Sequence, residues 1–408
     1  MPLPVLASFP HPLLLLHWVV CTGGIGASLV LGLVVAGALR RRRAPARLAS
    51  PPPLTILKPF DGVDPDLERN FEATAAVPWP AGKQVLFCTD RQNAEGIEVA
   101  RRVVALADGL PDVDARLLLN EEGETPPGAS RKTWHLQRGL EQARHDVVVL
   151  SDSTTRLDEA ALASVVLALL AEPRVGATWV SYTVQRGRGL GALLAGIAFT
   201  ATAFSFAVVD AVRSRWGGPP LLVGGLVALR REALDAIGGF TPFGDYLTED
   251  LPMALALVDA GWSIRRAPGL VERCLDGEGI GAHFGRLRRW NAAMLAFGDP
   301  GRIHYPFAQT PLALSLVTLP LAIAAAPEDL ATALILSGSL VLVRLLWSVW
   351  ILARVNRRPV GLSLLWGVPI NEVVMLLAFV SALFARSIRW RGQRFRLLEG
   401  GRVQRMDG

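Results

Sequence analysis

Several residue types that point to common functions are scarce in this sequence of 408 residues. Only three of its 42 basic residues are lysines, namely Lys58, Lys83 and Lys132. A GC-rich genome produces such an excess of arginine, so the net charge of +6 gives no reason to expect a nucleic-acid partner. The three cysteines share no metal-ligand spacing, so we expect neither a disulfide framework nor a zinc site.

Charge is absent from the first 39 residues, which contain no Asp, Glu, Lys or Arg. Residues 13–39 are long enough to cross a hydrocarbon core of about 30 Å. Because the positive charges follow this run, we predict a transmembrane anchor with a basic flank over residues 1–47 instead of a signal peptide. The positive-inside rule then places the following residues in the cytoplasm. Hydrophobic residues make up 51% of the chain, so we expect a multi-pass membrane protein.

Residues 48–300 are predicted to form one cytoplasmic α/β domain. Apolar runs alternate with amphipathic stretches, which predicts strands at 54–57, 84–88, 115–119 and 146–151 and helices at 65–76, 94–107, 131–143 and 158–171. This alternation indicates a Rossmann-like, mostly parallel sheet that binds ligands at the carboxyl ends of its strands. Asp90 and Asp152 directly follow two of those ends.

A second uncharged stretch, residues 189–209, lies inside this domain. If it crossed the membrane, Asp152 and Asp250 would lie on opposite sides and could not share a site. We therefore predict an interfacial apolar helix on which a lipid lies. A buried core helix is the alternative.

The C-terminal part, residues 301–408, contains further uncharged runs. Residues 303–353 are predicted to form a membrane hairpin that turns at Glu328 and Asp329. Residues 360–385 are predicted to be a re-entrant or interfacial segment, because Pro369 and Glu372 interrupt the run. This arrangement leaves the basic tail in the cytoplasm.

Two polar segments of the domain carry candidate chemistry. Glu249 and Asp250 precede an apolar helical run, and Arg286, Arg289 and Trp290 follow about forty residues later. A carboxylate can take a proton from an incoming hydroxyl, and arginines beside an indole can hold a diphosphate and cover a flat ring. Each feature also has a structural interpretation: the acids suit a helix N-terminus, Asp152 an Asx turn, and the arginines a membrane-surface patch.

The order of several motifs resembles the ceramide glucosyltransferase family (glycosyltransferase family 21), including its bacterial hopanoid-associated members. The resemblance rests on Lys58-Pro59-x-x-Gly62-x-Asp64-Pro65, the segment 113–117, Ser151-Asp152-Ser153, Gly238-Gly239-Phe240, Thr248-Glu249-Asp250 and Arg286-x-x-Arg289-Trp290. It implies a GT-A catalytic domain, a UDP-sugar donor, a membrane lipid acceptor and Mg²⁺ or Mn²⁺ as cofactor. The implied roles are metal and diphosphate binding for Asp152, base for Asp250, acceptor binding or orientation for Glu249, diphosphate and acceptor-channel binding for Arg286, Arg289 and Trp290, and donor contact for Lys132.

One position departs from the family pattern. The first functional aspartate of the family would fall at Ala94. Asp90 is the nearest carboxylate that could hydrogen-bond a uracil ring, and Asn93 could contribute.

From the candidate residues and the resemblance together, we expect an inverting transferase that moves a hexose, with glucose favoured, to a lipid such as ceramide. The alternatives are transfer of glucose or N-acetylglucosamine to a hopanoid or diacylglycerol, a processive polysaccharide synthase, and an inactive binding protein.

Overall fold

The structure of the protein is a computed structural model that describes residues 11–40, 50–120, 124, 126–184, 187–199, 221–298, 309–356 and 361–406. The strands are β1 (Leu54–Pro59), β2 (Lys83–Asp90), β3 (Val113–Asn120), β4 (Val147–Ser151), β5 (Thr155–Arg156), β6 (Val175–Thr183), β7 (Leu226–Arg230), β8 (Ser263–Arg273), β9 (Ser387–Trp390), β10 (Gln393–Leu397) and β11 (Val403–Met406). The helices of the α/β domain are α2 (Leu67–Ala76), α3 (Ala94–Ala107), α4 (Arg131–Gln142), α5 (Glu159–Leu170), α6 (Leu190–Phe199), α7 (Arg231–Ala236), α8 (Asp250–Asp259) and α9 (Ile280–Phe297). The remaining long helices are α1 (Pro12–Arg40), α10 (Pro311–Ala325), α11 (Leu330–Asn356) and α12 (Ser363–Leu383).

An eight-stranded sheet forms the centre of the domain, in the order β3-β2-β1-β4-β7-β6-β8-β5. Strands β3, β2, β1 and β4 run parallel, and every residue of β1 and β2 is buried. Such two-sided burial is typical of parallel strands that helices cover on both faces. The strands and helices predicted in this half of the domain are confirmed, with ends that differ by at most a few residues.

Strand direction changes beside β4, and this change brings the site together. Strand β7 runs antiparallel to β4, with Leu226 paired to Ser151. The residues that follow β4 therefore lie beside those that precede β7. The domain thus places Asp152 and the Gly224-Gly225 turn at one edge of the sheet, the same edge at which β1 and β2 end.

Among the described residues, three helical stretches are long and apolar enough to cross a membrane: Pro12–Val30, Pro327–Ala353 and Ser363–Leu383. Helix α10 has 15 residues, which corresponds to about 22 Å. A buried ion pair joins α11 to α12, with Arg344 Nε 2.7 Å from Glu372 Oε1. Glu372 Oε2 also accepts a hydrogen bond from Leu312 N at the start of α10. These contacts give the Glu372 carboxylate its partners, and a carboxylate is costly to leave unpaired among apolar membrane helices.

Two segments differ from their sequence patterns. Helix α12 continues through Pro369, because the polar residues that predicted a break find partners on neighbouring helices: Glu372 on α10 and α11, and Asn371 on His283 of α9. The basic tail folds into an antiparallel sheet in the order β11-β10-β9. Its Val403 N donates to Asp245 O, so this sheet packs on the α/β domain.

The uncharged stretch 189–209 is described only as far as residue 199. Most of α6 is buried, and Phe199 packs edge-on against Tyr182 of β6. The described part of the stretch is thus buried within the protein, and its predicted interfacial position at the membrane stays a prediction. Residues 200–209 lie outside the described residues.

Candidate active site

The turn after β4 carries Asp152, and two neighbouring segments fix its backbone. Asp152 N donates to Gly225 O over 3.0 Å. Gly225 has a φ of +121°, a conformation that L side chains rarely adopt, so glycine suits this turn. On the other side, the Nζ atom of the fully buried Lys58 donates to Ser151 Oγ at 3.0 Å and to Thr155 O at 2.7 Å. Lys58 therefore holds the turn from behind, a role that sequence reasoning did not assign to it.

Lys132 joins the Asp152 turn to the acid pair. It follows the N-cap of α4, where Ser130 Oγ accepts a hydrogen bond from Thr133 N. Its Nζ lies 2.7 Å from Asp152 Oδ1 and 2.7 Å from Glu249 Oε1. Although burial disfavours the ammonium, these two carboxylates raise the pKa of Lys132 above its usual range, while the pKa of Asp152 is lowered because Lys132 and Arg273 outweigh its burial. Lys132 and Asp152 are therefore both charged at neutral pH.

Asp250 begins α8 and is held by two backbone amides. Oδ2 accepts a hydrogen bond from Gly224 N at 3.2 Å, and Oδ1 accepts one from Leu251 N at 3.1 Å. Burial, together with the neighbouring charge of Glu249, raises the pKa of Asp250 to about 6. A carboxylate with such a pKa is mostly ionised at pH 7 and is a stronger base than an ordinary aspartate.

Helix α9 brings Arg289 and Trp290 to the same place, and the Arg286 guanidinium lies 6.0 Å from the centroid of the Trp290 ring. The Arg286 guanidinium lies 2.7 Å from Glu278 Oε1 and over the Phe199 ring, at 5.2 Å from its centroid. It is not among the residues that line the cavity described below. Arg273, at the end of β8, does line it and lies over the ring of Trp290, at 5.9 Å. No motif in the sequence singled out Arg273.

Near the end of β2, the residues predicted to bind the nucleotide lie outside the cavity lining. Asp90 is buried, and its Oδ2 accepts a hydrogen bond from Arg131 Nη1 at 3.1 Å. Arg131 lines the cavity, whereas Asp90 is behind it. Asn93 caps α3 by accepting from Gly96 N, so its side chain has a structural role there. Ala94 is the first residue of α3 and is exposed.

One cavity of about 280 Å³ unites these groups. Asp152, Lys132, Glu249, Asp250, Arg289 and Trp290, all of which the sequence predicted for the site, line it together. Its wall also includes the apolar side chains of Leu221, Leu222, Leu247, Leu251 and Met294. The cavity thus combines a raised-pKa carboxylate, a cluster of cations suited to phosphates and an apolar wall.

The residues of the cavity limit how a divalent cation, the predicted cofactor, could bind. Among the described residues, no group of three or more His, Cys, Asp or Glu side chains could hold a metal ion. Asp152 is the cavity carboxylate at the expected strand end, and one of its oxygens already contacts Lys132. These residues fit only a cation that takes most of its ligands from phosphates and water, which is the manner in which Mg²⁺ binds at many nucleotide sites.

Over most of its length the chain is similar to proteins of one known family. The sequence model of glycosyl transferase family 21 matches residues 17–403. The chain is 24% identical to ceramide glucosyltransferase 1 of Caenorhabditis elegans over 357 residues, which cover 86% of this chain and 73% of that protein. It is 23% identical to ceramide glucosyltransferase 3 of the same organism over 385 residues, 87% of this chain and 75% of that one.

A solved structure has a similar architecture. The mannosyltransferase PcManGT from Pyrobaculum calidifontis, in complex with GDP-Man and Mn²⁺, aligns with 91% of this chain and 99% of its own, with a TM-score of 0.54 and 19% identity. At this identity the likeness concerns the fold alone. The predicted GT-A domain with an N-terminal membrane helix and C-terminal membrane helices is confirmed.

Proposed function

The chain belongs to glycosyltransferase family 21, and on that premise we propose that it transfers a hexose, with glucose favoured, from a UDP-sugar to a hydroxyl of a membrane lipid such as ceramide. The observation that carries this proposal is the convergence of three distant segments, at Asp152, Glu249-Asp250 and Arg289-Trp290, on one cavity. Its apolar wall beside Asp250 suits the chain of a lipid whose hydroxyl has to reach that carboxylate.

The proposed reaction is a single displacement with inversion. The Asp250 carboxylate takes the proton of the acceptor hydroxyl while the acceptor oxygen forms a bond to the anomeric carbon. The bond from that carbon to the β-phosphate oxygen breaks, and the leaving diphosphate keeps the electron pair. Lys132, Arg289 and Arg273 lie in the cavity where they can stabilise this negative charge. Glu249 holds the Lys132 ammonium between itself and Asp152.

We further propose that Mg²⁺ or Mn²⁺ enters with the donor. Asp152 would be its protein ligand, and the diphosphate would supply other ligands. The ion would neutralise part of the diphosphate charge.

The same proposal covers orientation. We propose that the catalytic domain faces the cytoplasm, as the positive-inside rule predicts, and that the membrane is a bacterial inner membrane. The tail sheet packs on that domain, so the tail lies on the same side. Helix α12 contacts α9 through Asn371 and through Ser381, which accepts a hydrogen bond from Arg288. These contacts support an interfacial position for α12.

Mass spectrometry of lipids tests the function directly. The purified full chain in lipid nanodiscs is incubated with UDP-glucose or UDP-N-acetylglucosamine and with ceramide, diacylglycerol or a hopanoid alcohol in turn. We expect one hexose to be added to ceramide, and the added mass identifies both sugar and acceptor. A ladder of longer products would support a processive synthase instead. Binding of UDP-sugar with no release of UDP on any acceptor would support a catalytically inactive protein.

A further inference from the structure

The tail sheet of β9, β10 and β11 forms part of the wall of the catalytic cavity. Phe395 and Ile388 are buried in a cluster with Ala292 of α9, so the sheet is packed firmly against the domain. Strands β9 and β10 pair antiparallel and are joined by the two residues Arg391 and Gly392. Arg391 lines the cavity together with Asp152 and Arg289.

The backbone at this hairpin tip is unusual for an arginine. Arg391 has a φ of +49° and Gly392 one of +76°, so both central residues of the turn are left-handed. Such turns favour Asn or Gly at the first position, because a Cβ atom is crowded there. A residue whose backbone is kept in an unfavourable conformation at a cavity wall is a candidate for a functional role.

The contacts of Arg391 connect the tail to the turn that carries Asp152. Nη2 lies 2.9 Å from both carboxylate oxygens of Asp64, in the loop after β1. Asp64 Oδ2 also accepts a hydrogen bond from Ser153 Oγ at 2.5 Å. Both bonds to Asp64 come from the same nitrogen, so Nη1 and Nε are not used on this carboxylate. The Arg391 side chain is 34% exposed, so the guanidinium is within reach of a molecule in the cavity.

We propose that Arg391 binds the diphosphate of the sugar donor, and that Asp64 holds its guanidinium in place at the cavity. This inference rests on the proposed function, because it requires a nucleoside diphosphate donor. A guanidinium offers several donors in one plane, which allows Arg391 to contact phosphate oxygens through one edge while Nη2 stays on Asp64. The C-terminal sheet then belongs to the donor site, and two segments far apart in the chain, the loop after β1 and the β9–β10 turn, form its wall together.

The competing explanation is that the pair of Arg391 and Asp64 only fastens the tail to the domain. In that case, replacing either partner has the same consequence. If Arg391 contacts the diphosphate, the two replacements differ, because only one of them removes the guanidinium.

Calorimetric titration of the full chain in lipid nanodiscs with UDP, GDP and uridine separates these explanations. The variant Arg391→Asn keeps a residue that tolerates the left-handed turn but removes the charge. We expect it to weaken binding of the diphosphate about tenfold or more and to leave binding of uridine unchanged. Arg396→Gln removes an exposed arginine of β10 that does not line the cavity and is the matched control, with no change expected.

Asp64→Asn is the deciding comparison. It weakens the same ion pair but keeps the guanidinium, so we expect a clearly smaller loss of diphosphate affinity than in Arg391→Asn. Equal losses in both variants, or an unchanged affinity in Arg391→Asn, would overturn the proposal and leave the donor reaction standing. If the wild-type chain bound neither UDP nor GDP, the proposed function itself would fail. Binding of GDP in place of UDP would change the donor and leave the test of Arg391 intact.

Discussion

Replacing Asp250 with asparagine removes the proposed base while almost conserving its volume. The asparagine carbonyl oxygen can still accept a hydrogen bond from Gly224 N or Leu251 N, so the start of α8 keeps most of its contacts. Donor binding should stay near normal, because the cations of the cavity are untouched. Turnover should fall by about 10² or more, the usual loss for a general base.

The pKa of Asp250 gives this prediction a pH signature. Its value of about 6 means that roughly nine-tenths of the carboxylate is ionised at pH 7 and roughly one-tenth at pH 5. The kcat/KM for transfer should therefore fall about tenfold between these two pH values in the wild-type protein. The residual activity of Asp250→Asn should lack this acid limb, because asparagine does not titrate.

The direction of the pKa shift of Asp250 also predicts how Asp250→Asn changes the stability of the fold. Loss of activity through unfolding can therefore be distinguished from loss of the base. The folded protein binds the Asp250 proton more tightly than the unfolded chain does, because the pKa is raised from 3.8 to about 6. Stability from this group is therefore fully present below about pH 4 and is lost as the pH rises through about 6. Asparagine carries no such penalty at pH 7, so the midpoint of thermal unfolding should not fall.

The assay is release of UDP in nanodiscs that contain the lipid acceptor, followed from about pH 5 to about pH 8. Binding of UDP-sugar is measured on the same samples. A variant that retained more than about one-tenth of the wild-type turnover would remove Asp250 from the role of base. An acid limb that persisted in the variant would show that another group causes it.

Three further substitutions test other parts of the molecule. Lys132→Met should weaken UDP-sugar binding about tenfold or more, because it removes a cation and leaves Asp152 without its 2.7 Å partner. Equilibrium titration with the UDP-sugar measures this loss. An unchanged Kd would exclude a contact between Lys132 and the donor. Asp90→Ala should weaken UDP binding by a smaller factor, and an unchanged UDP dissociation constant would exclude Asp90 from the nucleotide site. Glu372→Ala should destabilise the membrane helices by about 3–5 kcal/mol, because Arg344 loses its buried partner. The midpoint of denaturation in detergent measures this loss. If Arg344→Met in the same chain restored the midpoint, the unpaired charge of Arg344 would be the cause.

The sequence predicted the α/β half of the fold well, because its strands carry a strong signal. Buried parallel strands such as β1 and β2 are centred on short apolar runs, Ile56-Leu57 and Val85 to Cys88, and the polar residues that follow the strands mark the ligand edge. The ordered motifs then led to Asp152, Asp250 and Arg289 at one cavity. Arg286 was expected there as well, but its sequence neighbourhood does not reveal that Glu278 pairs with it.

The tail was not predicted as a sheet, because its charge concealed a strand pattern. Ile388 and Trp390 alternate with polar residues, Gly392 follows, and Phe395 and Leu397 alternate again. This is the signal of a β-hairpin. Five arginines between residues 386 and 396 favoured a membrane-surface interpretation instead. The contact of Arg391 with Asp64 joins residues 327 positions apart, and no local pattern contains it.

Helix α9 connects the cavity to the membrane helices through its two faces. Phe284 and Leu287 pack with Met375 of α12, whereas Arg289 and Trp290 line the cavity. Residues 284 and 287 are three apart and share one face of a helix, Arg289 lies on the opposite side, and Trp290 lies between the two. The position of α12 relative to the bilayer therefore fixes the depth of Trp290 and, for the lipid acceptor that we propose, the level at which its hydroxyl would arrive. In this way helix α9 is part of the cavity wall through Arg289 and Trp290 and packs on α12 through Phe284 and Leu287.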